Sequence, residues 1–104
     1  MSIFVVGINH KTAPVSVREQ VAFSPDTIAD ALKSAGSVVR ENIILSTCNR
    51  TELYAASPDK QAAEQMIHWL ADFHQMPVDK LTPYLFSYQQ DEAIRHALRV
   101  ACGL

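Results

Sequence analysis

The first apolar block, Ile3 to Ile8, is continuous rather than alternating, the pattern of a central strand covered on one or both faces. Gly7 falls late in it, where a backbone bend or a close approach of another segment is expected. Asn9-His10-Lys11-Thr12-Ala13-Pro14 follows as a loop, because Pro14 biases Ala13 toward extended angles. Val15 to Ala22 reads as a short helical turn. Ser24-Pro25-Asp26 then opens a helix, with a capping serine, a proline at the first helical position and an acid at the positive end of the dipole. Ile28, Ala31, Leu32 and Ala35 make its apolar stripe, and Gly36 closes it in the left-handed region.

Two strand-like runs come next, Ile43-Ile44-Leu45 and Leu53-Tyr54-Ala55-Ala56, separated by a polar turn around Cys48 and Asn49. Runs joined this tightly predict a β-hairpin, and asparagine suits its turn because it tolerates left-handed angles. Ser57-Pro58-Asp59 repeats the earlier start signal. The helix it opens carries Ala62, Met66, Ile67, Trp69, Leu70 and Phe73 along one broad face, with Pro77 as its stop. Leu81 to Tyr88, with Pro83, Tyr84, Phe86 and Tyr88 in near alternation, predicts a strand with Pro83 at its beginning or on an edge. Asp91 caps a last helix whose apolar stripe is Ile94, Ala97, Leu98 and Ala101, ended by Gly103. His96 lies about 160° around that helix from Leu98, beside Glu92, Arg95 and Arg99. Its bland reading is a solvated side chain, and its sharp reading a site residue reaching beyond this helix's packing face.

The order strand, helix, strand, strand, helix, strand is that of the split βαβ unit. The fold class expected is α+β: a ferredoxin-like βαββαβ sandwich, antiparallel, with helices on one face, followed by the start of an extra helix. Residues 1–90 form the sandwich in this reading, and 91–104 begin a helical subdomain that is cut short.

The chain has 104 residues, 48% of them apolar, which suits one soluble domain with one modest core. A net charge of −2 gives no general attraction to nucleic acid or to an anionic membrane, so any RNA-binding surface is local. Two cysteines far apart in the sequence make neither a disulfide framework nor a paired zinc motif, and free thiols fit a reducing, cytoplasmic compartment. The N-terminal apolar run is too short for a signal peptide, and no run approaches membrane-spanning length. His68 and His74 are six positions apart and do not share a helix face as an i,i+4 metal pair does. Both read as surface or rim histidines, and no metal site is expected.

The chemistry concentrates in Ser46-Thr47-Cys48-Asn49-Arg50-Thr51-Glu52-Leu53-Tyr54. A free cysteine is most often a small packed hydrophobe. Cys48, however, stands among Thr47, Asn49 and Arg50, poor company for a core, and a neighbouring cation favours the nucleophilic thiolate.

This stretch, with Gly7-Ile8-Asn9-His10-Lys11-Thr12-Ala13-Pro14-Val15 before it and Ala93-Ile94-Arg95-His96-Ala97-Leu98-Arg99-Val100-Ala101-Cys102-Gly103-Leu104 after it, resembles the three N-terminal signatures of glutamyl-tRNA reductase. The resemblance implies an enzyme that reduces the activated glutamate of glutamyl-tRNA(Glu) to glutamate-1-semialdehyde with NADPH, the first committed step toward tetrapyrroles. It implies Cys48 as the nucleophile that holds glutamate as a thioester, and Arg50 as the grip on the substrate's side-chain carboxylate. Thr47 and Asn49 would line the same pocket, and His96 would orient substrate or move a proton. Guanidinium chemistry suits the role of Arg50, since its planar fork matches a carboxylate in two hydrogen bonds. His10 and Lys11 could add local positive charge, or be a plain solvated loop. Cys102 stands where the family has a smaller or hydroxyl residue and is expected to be helix packing. The family enzyme is several times longer, with an NADPH-binding domain and a helical dimerisation domain that makes it a homodimer, and a downstream aminomutase is a further partner. This chain has no G-x-G-x-x-G after a strand, so it reads as an N-terminal piece that does not complete the reduction. The competing reading is a small ferredoxin-like RNA-binding or regulatory module with a non-catalytic cysteine, although the basic, aromatic strand of RNA-recognition modules is missing.

Overall fold

The structure is a computed structural model, and it describes residues 2–103. Four strands form one antiparallel sheet: β1 (Ser2–Asn9), β2 (Glu41–Thr47), β3 (Arg50–Ser57) and β4 (Phe86–Gln89), in the order β2-β3-β1-β4. The apolar block at the N-terminus is indeed central. Phe4 through Ile8 are all buried, because β1 is paired on both edges and covered on both faces.

Strand parity separates two surfaces. Phe4, Val6, Ile8, Leu53 and Ala55 face helices α2 (Ile28–Gly36) and α3 (Ala62–Phe73) and share their hydrophobic core. In α3 the sequence periodicity and the buried face coincide: Ala62, Met66, Trp69 and Leu70 point inward, and full burial of side chains such as Leu70 or Met66 stabilises by about 1.5–3 kcal/mol each. The helix α1 (Val15–Gln20) adds Val17 to this layer. On the opposite surface lie Val5, Gly7, Glu52, Tyr54, Phe86 and Tyr88, and here the last helix, α5 (Asp91–Ala101), packs against β1 and β4. The helices of the sandwich thus share one face, as the sequence reading held, and the extra helix α5 covers the other.

Several local signals act differently from expectation. Ser24 does not cap α2 through its side chain. The segment makes a turn closed by Ile28 N–H to Ser24 C=O at 3.0 Å, while Thr27 Oγ1 accepts from Ser24 N at 3.2 Å. The α-helix begins only after it. Gly36 is not left-handed; α2 tightens instead through i to i+3 bonds from Ser37 and Val38. No side chain caps α3 either: in the turn before it, Asp59 Oδ1 accepts from Gln61 N at 2.8 Å and Ser57 Oγ from Asp59 N at 3.1 Å. Left-handed Gln75, φ 55°, terminates α3, and Pro77 opens the short helix α4 (Val78–Leu81) rather than stopping the previous one. Leu81 to Tyr84 is helical, with Pro83 in a 3₁₀ turn, and β4 starts only at Phe86. Gln90, with φ 55°, precedes α5, and Asp91 is its first helical residue, placing two acids in the first turn.

The largest difference concerns α5. Apart from Ala97, its apolar stripe points away from the sheet: Ile94 is 46% and Leu98 61% exposed, and Ala101 is exposed too. The buried residue is Ala93, and half-buried His96, Ala97 and Val100 complete the inward face. The tight approach of helix to sheet admits small side chains and one imidazole, and the larger aliphatic groups are left outside.

Candidate active site at the hairpin tip

The register Thr47↔Arg50 leaves Cys48 and Asn49 as a two-residue turn between β2 and β3. Neither has a positive φ, so the expected left-handed asparagine is absent; Asn49 N–H instead donates to Thr47 Oγ1 at 3.2 Å. Cys48 is a free, exposed thiol. Its carbonyl accepts from Arg18 Nε at 3.4 Å, and Arg18 Nη1 donates to Ala13 C=O at 2.8 Å. Arg18 thus ties the hairpin tip to the loop after β1. That loop is itself ordered by Asn9, whose Oδ1 accepts from Lys11 N at 2.9 Å and Thr12 N at 3.2 Å.

These elements surround a cavity of about 710 Å³. Asn49, Arg50 and His96 line it together with His10, Lys11 and Arg99. Thr47 and Cys48 are exposed beside it on the hairpin. Asn49, Arg50 and His96, drawn from the turn, a strand and a helix remote in sequence, therefore converge on one cavity. Cys102 does not pack as expected. It is exposed just past the end of α5.

Beneath the cavity lies a residue that sequence reasoning passed over. Glu52 is completely buried, yet carries a carboxylate. Its Oε2 accepts from Arg50 Nη1 at 3.0 Å and lies 2.9 Å from His96 Nε2, and its Oε1 accepts from Tyr54 O–H at 2.5 Å. Burial and the adjacent carboxylate push the Tyr54 phenol well above its ordinary range, so it remains a hydrogen-bond donor. The His96 ring is flanked by Phe86 and Tyr88 at centroid distances of 5.0 and 5.2 Å. Opposite Glu52 in the sheet is Gly7, where a Cβ would stand 2.3 Å from Thr51 O and 2.9 Å from Glu52 Cα. The close approach expected at Gly7 is therefore real, and it lies directly beside the buried carboxylate. The available signal for Glu52 was its strand parity with Arg50 and Tyr54, which puts all three on one face.

The two other histidines lie apart from this site. His68 is exposed. His74 is not a plain surface group, since it packs against Phe23 at 4.7 Å and Phe73 at 5.4 Å, its Nε2 is buried without a partner, and burial lowers its pKa. Among the described residues no group of three or more histidine, cysteine or acidic side chains is arranged to hold a metal, and no helix is long and apolar enough to cross a membrane.

Residues 6–104 match the family model described as glutamyl-tRNAGlu reductase, N-terminal domain. The chain is 52% identical to a glutamyl-tRNA reductase of Aromatoleum aromaticum and 50% identical to that of Pseudoalteromonas atlantica, over its whole length and 25% of each relative. It thus spans about a quarter of the curated relatives it matches. Among solved structures, glutamyl-tRNA reductase from Methanopyrus kandleri superposes with a TM-score of 0.70 at 31% identity, covering 98% of this chain and 22% of that one. With nearly every residue inside the matched region, the chain belongs to the family of glutamyl-tRNA reductase N-terminal domains.

Proposed function

We propose that this chain is the substrate-binding and thioester-forming part of a glutamyl-tRNA reductase. The observation that carries the reading is the exposed Cys48 thiol at the hairpin tip, with Arg50 starting the return strand and lining one cavity with Asn49 and His96. In this reading the Cys48 thiolate attacks the aminoacyl ester carbon. A carbon–sulfur bond forms, the bond to the ribose oxygen breaks, and tRNA leaves as that oxygen takes up a proton. The ester is already activated, so the thiolate needs little further assistance. Arg50 makes one hydrogen bond inward, to Glu52, which leaves guanidinium N–H groups for the glutamate side-chain carboxylate. Thr47 and Asn49 shape the tip. His96 orients the substrate or moves a proton, since an imidazole can both donate and accept one.

NADPH serves the reductive half of the family's reaction. The three glycines of this chain lie inside β1, at the end of α2 and after α5, none in a glycine-rich strand-to-helix turn that could cradle a dinucleotide. In this reading the family's NADPH-binding domain performs the hydride step and its helical domain makes the homodimer, with a downstream aminomutase as a further partner. The sheet order, with every neighbouring pair antiparallel, supports a ferredoxin-like topology, and two free thiols favour a reducing cytoplasm. The reading as an RNA-binding or regulatory module with an inert thiol is not favoured by the near-complete family match.

Incubation of the chain with charged glutamyl-tRNA, followed by mass spectrometry, tests this function. A glutamyl adduct on Cys48 that is lost in Cys48→Ser and kept in Cys102→Ser is expected. Adduct formation that survives Cys48→Ser would remove this thiol from the mechanism. Arg50→Lys should weaken substrate use, since a point charge does not replace the fork.

A further inference from the structure

Glu52 is fully buried, carries a charge, and belongs to none of the roles assigned above. Burying an ion is costly unless its oxygens are satisfied by well-placed donors. Here three different side chains supply them: Arg50, Tyr54 and His96. An ionised carboxylate only accepts hydrogen bonds. Paired with Arg50 at 3.0 Å, it therefore requires a proton on the His96 nitrogen that faces it, Nε2, 2.9 Å away. In the neutral ring the other nitrogen, Nδ1, is then the basic one, and among the described residues it has no hydrogen-bond partner. Phe86 and Tyr88 flank the ring and resist its rotation.

We infer that Glu52 is the positioning residue of this site: from below the cavity it fixes His96 as the Nε2–H tautomer, so that Nδ1 meets the substrate, and it holds Arg50 in register with it. The inference rests on the proposed function for what the substrate is, but not for the geometry. The same second contact orients histidines at metal centres, where a carboxylate fixes tautomer and ring plane together. Glutamine would fill the space but could offer His96 either an oxygen or an amide N–H, so the tautomer would no longer be dictated. The titratable and charged groups facing the pair are Arg50 and Tyr54 on β3, Tyr88 on β4, Glu92, Arg95 and Arg99 on α5, and His10 and Lys11 on the loop after β1.

The direct test needs no variant of Glu52. Long-range proton–nitrogen correlation spectra of the ¹⁵N-labelled chain, with His96 assigned by its loss in His96→Asn, read the tautomer of the neutral ring. A single Nε2–H form is expected; a predominant Nδ1–H form overturns the inference. The second test is a double-mutant cycle on the rate of Cys48 acylation by glutamyl-tRNA. Glu52→Gln alone is expected to slow acylation about tenfold or more, and Glu52→Gln with His96→Asn to be no slower than the worse single variant. Losses that multiply would show that Glu52 does not act through His96. Absence of any acylation in the unmodified chain would remove the proposed function, and the tautomer would still decide the positioning role. A wrong tautomer with normal acylation would remove only the positioning role.

Discussion

The two faces of the sheet solve the same burial problem with different chemistry, and each encloses one half-buried histidine. Against α2 and α3 the sheet presents mainly hydrocarbon, Phe4, Val6, Ile8, Leu53 and Ala55, with the buried Thr51 hydroxyl donating to Val21 C=O at 3.2 Å, and His74 sits there among Phe23 and Phe73 with its Nε2 unpaired. Against α5 the sheet presents Glu52 and Tyr54 flanked by Gly7, and His96 sits there on a carboxylate. Hydrocarbon packing is non-directional, so the first face depends on volume and tolerates exchange of similar side chains. The second depends on donors meeting acceptors at hydrogen-bond distance, and it offers no such exchange. A site built on the second face inherits that exactness of placement, while the first face supplies the stability that holds it.

The comparison can be broken in several ways, and the largest effect belongs to the hydrocarbon face. Leu70→Ala empties a fully buried position and should cost about 3–4 kcal/mol, read as a lower urea midpoint. The variant that remains folded should acylate Cys48 at close to the normal rate. A large loss of acylation in folded Leu70→Ala would show that the faces are not separable.

Gly7→Ala tests the polar face by volume alone. The added Cβ meets backbone at 2.3 Å, which a side-chain rotation cannot relieve, so a loss of about 2–3 kcal/mol is expected. Unlike Leu70→Ala, it should also reduce acylation in the folded fraction, because β3 must shift where Arg50 and Glu52 stand. A neutral Gly7→Ala would mean that β1 and β3 are looser than this geometry.

A smaller effect separates the two histidines. Burial lowers the pKa of His74 in the folded chain, so the unfolded chain binds the proton more readily. Stability from the neutral ring is therefore complete above about pH 6.5, the unfolded value, and is lost as pH falls below it toward the folded value. His74→Phe should flatten this part of the stability–pH curve. An unchanged slope, measured by urea denaturation at stepped pH, would reject the assignment.

The smallest effect is the most diagnostic for α5. Leu98→Ser removes a large aliphatic group from a position 61% exposed, and should change stability of this chain by no more than about 0.5 kcal/mol. A cost approaching that of Leu70→Ala would mean that α5 turns its aliphatic stripe inward, which would take His96 off Glu52.

How far the sequence could be read follows the same division. The α3 stripe was legible because its apolar residues bury against elements of this chain, so period and burial agree. The α5 stripe was equally periodic, but the surface it meets has no room for Ile94 or Leu98, and the helix turns Ala93 and His96 inward. Arg18 was read only as part of a helical turn, since nothing local connects it to the Cys48 carbonyl thirty positions away. Glu52 was passed over because hydropathy assigns a carboxylate to solvent, and only three donors from β3 and α5 together make its burial affordable.

By itself, the sequence determined what short-range chemistry controls: a continuous apolar strand at the N-terminus, a tight polar turn that exposes Cys48, an amphipathic α3, and the signatures that mark the family. The tertiary structure alone decided which side of α5 meets the sheet, where β4 begins, and that Glu52 lies beneath Arg50 and His96. Those outcomes depend on strand register and on helix-to-sheet distance, which are set by residues remote along the chain. A side chain's own neighbours in sequence do not say which partners will replace its water.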